Sequence, residues 1–504
     1  MRETFRGVSP TGVCCWGLVA VVLLPGAVLH SADTRTGLAL ILQCVVVVHT
    51  GCALAWVLAG PAVRLMAFGF WLFSYVWLGL APLAMLATDT YPLGFVVGQG
   101  SATTACAVVE TGLLAYSAGA AAAGFRRHRR SVVLEPLLAR RPAPSRVLLL
   151  GVLALLLAVV LIPQQGGIEP FFTSRQAVNG PTGASGGSGG DSAVRALAAW
   201  SLSAPAFWAL LALLHVQRRR GGDQLLRGLR WALLPPLVAL NAVVNNPISQ
   251  PRFWAGTVVL TLLFGIPALR RPRGFRIAAA AMVTVVLVVF PYGDHFRNEE
   301  RERVQLRSLA EQFTTNGDYD AYQQLQTGIS LRQESGYAPE TVLGPPLFFV
   351  PRATWTGKPE DTGIRLAQHA GYNFDNLSAP LWVETYLWAG FPMVALVFGL
   401  YGALVRRIDD VRQRLRDNHG SLAVLLVPAL AFFQLILLRG SLMACMGPLT
   451  LLILIPLCVT VRGGYGVREG TRKSLTTPMP VPSRRVALAA PAHVVHRRGD
   501  TCGD

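Results

Sequence analysis

Six cations and a handful of carboxylates are the residues in this chain able to do chemistry. Arg175 lies in "GGIEPFFTSRQAV" and Arg252 in "NNPISQPRFWAGT". Arg352 and Lys358 stand in "VPRATWTGKPEDTG", Arg365 follows directly, and Arg439 sits in "LLRGSLMAC". A guanidinium fork binds phosphate bidentately and an ammonium binds it as a point charge. Together these residues would suit an anionic ligand, and beside a bilayer a lipid diphosphate. Pro351 and Pro359 fix the backbone around Trp355, whose ring suits a sugar face or a lipid interface. Snorkelling to head groups, or pairing with a loop carboxylate, is the competing account of each cation. Glu384, in "APLWVETYLWAG", is placed to act as a base or to pair with an arginine. His369 and Asp375 just before it could serve as base or sugar ligand, or as solvated loop residues. Glu110, in "CAVVETG", reads as a polar helix–helix contact.

The elements that must hold these residues are membrane helices. Hydrophobic residues make up 52% of the 504 and charged residues only 14%, and the mean hydropathy is +0.44. Apolar runs recur at the length of roughly 20 residues needed to cross a bilayer, without the ten-residue alternation of a barrel. Twelve spans are expected, near 13–30, 37–59, 62–86, 95–124, 147–163, 195–216, 231–246, 253–269, 274–291, 380–404, 420–438 and 447–461. The first follows a basic leader but no persuasive cleavage site, so it reads as an uncleaved helix.

Basic clusters give a second, independent signal. "RRHRR" with Arg140, Arg141 and Arg146, "RRR" at 218–220, Arg270, Arg271, Arg273 and Arg276, and the run from Arg406 to Arg416 all fall on one side of a twelve-span chain. The tail 462–504, basic and Pro-rich and expected to be disordered, falls there too. Arginine-rich connections face the cytoplasm, which places both termini inside. The chain then divides into nine spans over 1–291, an extracytoplasmic loop 292–379, three spans over 380–461, and the tail. Within the first part, loop 164–194 lies outside and ends in the linker-like "PTGASGGSGGDS". The loop 292–379 holds 8 Arg and Lys against 12 Asp and Glu. Leu306, Leu309 and Phe313, then Tyr322, Leu325 and Ile329, recur at helical spacing, so it should be a partly helical cap on the membrane domain.

Several classes drop out. The net charge of +18 is spread in short clusters that suit topology and anionic lipid, not nucleic acid. Eight cysteines lie in or beside apolar runs or in the tail, which implies neither a disulfide framework nor a cysteine metal site. There is no P-loop lysine and no HExxH.

"FFVPRATWTGKP", then "LWVETYLWAGFPMVAL" and later "LLRGSL", resemble the signature region of bacterial Wzy-type polymerases of lipid-linked oligosaccharide repeat units, the O-antigen polymerase group. In that family a large extracytoplasmic loop typically ends in Pro-Arg-x-x-Trp-x-x-Lys-Pro before a span with an early Glu. "NPISQPRFWAGT" is similar to actinobacterial members. Arg175–Gly186 and Arg352–Gly363 also fit the paired Arg-x10-Gly motif of some members. The resemblance covers the span layout and about four short segments. It implies a GT-C-like, metal-independent glycosyltransferase of the bacterial cytoplasmic membrane, without cofactor. Such an enzyme moves a polyprenyl-diphosphate-linked glycan onto another lipid-linked repeat unit, beside a flippase and a chain-length regulator. On that reading Arg352 and Lys358, helped by Arg175 and Arg439, would hold the diphosphate. Glu384 or His369 would serve the acceptor hydroxyl, and Arg252, Trp355, Arg365 and Asp375 would line the substrate. A ligase shares this plan. A flippase of lipid-linked sugars should instead carry charge deep in several spans.

Overall fold

The computed structural model describes residues 9–30, 37–96, 100–125, 131–173, 189–216, 224–248, 250–289, 307–374, 377–416 and 420–462. The expectations for Arg175, Asp375 and the tail beyond residue 462 fall outside them. The architecture is all-α. Helix α1 spans Pro10–His30, α2 Leu38–Ala59, α3 Leu65–Thr88 and α4 Ser101–Phe125. A short α5, Leu134–Leu138, precedes α6, Pro144–Gln164. Then come α7 (Gly189–His215), α8 (Gln224–Val244), α9 (Arg252–Phe264) and α10 (Pro272–Thr284). The long loop holds α11 (Leu309–Thr315), α12 (Ala321–Ser335) and α13 (Thr362–Ala370), and α14 (Leu381–Arg414), α15 (Leu422–Arg439) and α16 (Leu442–Val459) close the bundle.

Among the described residues, eight of these helices are long and apolar enough to cross a membrane: α1–α4, α6 and α14–α16. The protein is a polytopic membrane protein. The count differs from the twelve expected over α7–α10, where α9 and α10 each have 13 residues and α8 opens with Arg227 and Arg230.

Helix α3 is the axis of the bundle. It is apolar on every side, and 94% of its most hydrophobic window is buried, as such a helix must be. Its middle, Ser74–Leu80, widens into a π-turn, which loosens the carbonyl ladder. Gln43 from α2 answers this by donating its amide to the carbonyls of Leu78 and Gly79 at 2.8 and 2.7 Å. In lipid such groups have no water to turn to.

Helices α4 and α14 pack through small residues. A β-carbon at Gly119 would overlap the carbonyl of Gly399, and one at Gly402 that of Tyr116. Glycine is what allows the two backbones to touch. Helix α14 breaks at Ala389–Gly390, where Gly390 takes φ +69° against the Tyr337 hydroxyl. Pro392 restarts it, as proline in a first turn does. The segment before the break is wholly buried, while Leu396, Leu400 and Leu404 beyond it turn outward.

At the end of the bundle away from the long loop, arginines cap helices. Arg140 donates to the carbonyls of Leu457 and Thr460 at 3.0 and 2.6 Å, and Arg276 to those of Leu58 and Ala59 at 3.0 and 2.9 Å. These residues satisfy C-terminal carbonyls and complement the helix dipole. Arg141–Pro142 also pairs with Thr460–Val461 as a two-residue antiparallel bridge.

Within the loop, most of α12 is buried on all sides. Tyr322, Leu325 and Ile329 of α12 are fully buried, but so are Gln323, Gln324, Gln326 and Thr327 on its polar sides. Helices α4, α13 and α14 enclose it. Gln323 is held by the Leu93 amide at 3.1 Å and the Phe95 carbonyl at 2.5 Å.

Candidate functional site

Two arginines expected to meet an anion are already spent on carboxylates of the chain. The loop reaches down beside α3, where Trp77 donates its indole N–H to the Asp318 carbonyl at 2.9 Å. Arg439, last residue of α15, meets Asp320 at 2.9 Å and Asp318 at 3.8 Å. Its guanidinium also donates to the carbonyls of Asp318 and Gly317 and lies 5.5 Å over the Phe253 ring. Arg252, first residue of α9, pairs with Asp318 at 3.2 Å. Ser378 donates to Asp320 at 2.8 Å. Burial pushes the Asp320 carboxyl above its usual range, and Arg439 and Ser378 act against that push. The network ties α9, α12 and α15 together, and its charges are matched.

Arg352 and Lys358 also turn inward to the chain. The Lys358 ammonium donates to the carbonyls of Phe348 and Val350 at 2.6 and 2.9 Å. Arg352 donates to those of Lys358 and Pro359 at 2.9 and 3.2 Å. Burial and the neighbouring Arg352 lower the Lys358 pKa. The Arg352 side chain stays exposed, and a guanidinium has five N–H donors, so it keeps donors facing outward. Trp355 is half-buried and stacks on no other ring among the described residues. His369 lies on α13 with Nε2 3.1 Å from Ser330 Oγ and Nδ1 3.6 Å from Glu334. Arg365, on the same helix, is half-buried and joins no ion pair among the described residues.

Glu384 has two partners that sequence reading missed, Asp361 and Ser441, between the starts of α13 and α16. Asp361 is the N-cap of α13, its Oδ1 accepting the Gly363 N–H at 2.8 Å. Its Oδ2 accepts the Ser441 hydroxyl at 2.7 Å, and Ser441 is the residue before α16. Glu384, buried in the first turn of α14, accepts the Leu442 N–H at 2.8 Å. The hydroxyls of Ser441 and Thr362 face the same carboxylate. Two carboxylates thus bind adjacent residues, Ser441 and Leu442, at helix N-termini that favour negative charge. Among the described residues no lysine or arginine pairs with either. Paired acids without a counter-cation can hold and pass a proton. Glu384 was marked in sequence by its place in an apolar span, whereas for Asp361 and Ser441 the only signal was that each precedes a helix.

Glu110 forms a separate contact, accepting His49 Nδ1 at 2.7 Å between α4 and α2.

Comparison with protein-family models, with curated proteins and with solved structures finds no match.

Proposed function

We propose that this chain is a membrane glycosyltransferase that joins polyprenyl-diphosphate-linked oligosaccharide repeat units into a surface polysaccharide. The observation that carries the reading is the meeting of Asp361 and Glu384 at the adjacent residues Ser441 and Leu442, Asp361 closing the "PRATWTGKPED" stretch, whose Arg352 is exposed. In this scheme the acceptor sugar hydroxyl gives its proton to one of the two carboxylates. Its oxygen attacks the donor's anomeric carbon, and the bond from that carbon to the diphosphate breaks. Arg352 and Arg365 neutralise the departing diphosphate, the charge that most needs stabilising in such a transfer. Lys358 holds the loop in shape, and Arg252 and Arg439 hold α12 and the bundle beneath it.

The fuller architecture belongs to the same reading. Helices α7–α10 add four spans to the eight, giving a GT-C-like twelve-span domain in a bacterial cytoplasmic membrane. Both termini face the cytoplasm, and loop 292–379 faces out with its lipid-linked substrate, beside a flippase and a chain-length regulator. The arginines that cap helices at the far end suit a cytoplasmic face.

Depletion of the chain tests this. Cells should accumulate single lipid-linked repeat units, and re-expression should restore a ladder of polymer. An unchanged ladder on depletion would refute the reading, and long polymer left on its lipid carrier would favour a ligase.

A further inference from the structure

The stretch 339–359 turns much of its non-helical backbone in on itself. Non-helical backbone at membrane depth survives only where its polar groups are satisfied within the protein. Pro339, Pro345, Pro346, Pro351 and Pro359 remove five N–H donors from this segment. Part of its remaining amides turn inward: Gly344 donates to Thr341, Leu347 to Leu343, Phe348 to Pro345, Val350 to Leu347, and Trp355 to Pro351. The carbonyls of Phe348, Val350, Lys358 and Pro359 take their donors from Lys358 and Arg352. Two cations are thus used to cover four carbonyls of the turn.

The side chains point the same way. Leu343, Leu347 and Phe349 are 54, 36 and 67% exposed. The segment lies along the first turns of α16: Phe348 packs on Gly447, and Met443 fills the place of a β-carbon on Gly344. Gly447 is five residues into a membrane-spanning helix, about 7 Å along its axis. The apolar side chains therefore continue the lipid-facing surface of α16, where Leu454 is also exposed. Trp355 and the exposed Arg352 stand at the edge of this patch, as aromatic and basic residues do at the level of lipid head groups.

We infer that residues 343–355 insert into the membrane interface, with Leu343, Leu347 and Phe349 among acyl chains and Arg352 and Trp355 at the head groups. The partner is the bilayer itself. The inference goes beyond the transferase reading and stands without it.

The test places an environment-sensitive fluorescent amino acid at Phe349, or separately at Leu343, in the full-length protein. The protein is reconstituted in vesicles of phosphatidylethanolamine and phosphatidylglycerol. The same probe at Glu311, half-exposed in α11, is the aqueous reference. At Phe349 and Leu343 emission should shift to the blue. Lipid carrying a doxyl group high on its acyl chain should quench it at least twofold, and iodide should hardly affect it. At Glu311 the pattern should reverse. Iodide quenching at 349 and 343 equal to that at 311, with no doxyl quenching, would overturn the inference. Using two probe sites keeps the test decisive if one substitution prevents folding.

Discussion

Ser441 donates its hydroxyl to Asp361 Oδ2 at 2.7 Å, joining the residue that precedes α16 to the residue that precedes α13. Eighty positions separate the two in sequence. Their contact brings the start of the loop's last helix onto the start of the last span and sets Asp361 beside Glu384.

Ser441→Ala should therefore loosen this junction. It leaves Asp361 without one of its donors, and a hydrogen bond to a charged group contributes about 2 kcal/mol. Thermal unfolding in detergent should show a lower midpoint, while Ser441→Thr, which keeps the hydroxyl, should recover most of it. An unchanged midpoint in the alanine variant would mean the bond does not matter to the fold.

Arg439→Ala removes the main partner of Asp320 and should cost about 3–5 kcal/mol, the usual penalty for stranding a buried charge. The effect should depend on pH. Burial already raises the Asp320 pKa, and loss of the guanidinium raises it further. A carboxyl whose pKa is higher in the folded state stabilises that state when protonated. The contribution is fully present below the ordinary value of 3.8 and is lost as pH rises through the folded value. The deficit of Arg439→Ala relative to the parent protein should shrink as pH falls from neutrality towards 3.8. A deficit that is constant with pH would show that Asp320 is not the group left exposed.

Gly402→Val should prevent α4 and α14 from closing, because its β-carbon would overlap the Tyr116 carbonyl. The expected result is loss of the monodisperse peak in size-exclusion chromatography. Gly357→Val, where only the Trp355 ring comes within 4.0 Å of such a carbon, should leave the peak intact. Equal behaviour of the two variants would contradict the packing described here.

Sidedness can be read from Ser335→Cys. The position ends α12 and is exposed. On intact cells a membrane-impermeant maleimide should label this variant above the background of the native cysteines. Protection until the cells are broken would place the loop in the cytoplasm and remove the access that lipid-linked sugars on the outer face require.

Eight of the twelve expected spans were legible because hydropathy records burial in lipid directly. Helix α12 was legible only by half: Tyr322, Leu325 and Ile329 mark its apolar side, but nothing in the pattern marks the glutamines on its other sides as buried. They are buried because the helix is enclosed on several faces, which no periodicity reports. The prolines around Arg352 and Lys358 advertised a rigid turn, but not that both cations would bond to its carbonyls. Asp361 and Ser441 escaped notice because an Asp or Ser before a helix is ordinary capping chemistry. Only the fold reveals that the two caps touch. The same is true of Arg439 and Asp320, which stand 119 residues apart.

The most direct test of the account is elongation by the purified protein. Reconstituted in liposomes with a polyprenyl-diphosphate-linked oligosaccharide, the parent chain should produce a ladder of multiples of the repeat unit. Asp361→Asn combined with Glu384→Gln keeps the shape of the site but removes both proton acceptors. Loss of a general base costs roughly 10²–10⁴-fold in rate, so the double variant, folded as judged by its unfolding midpoint, should leave single units only. A ladder of undiminished length and rate from that variant would contradict the role assigned to the two carboxylates.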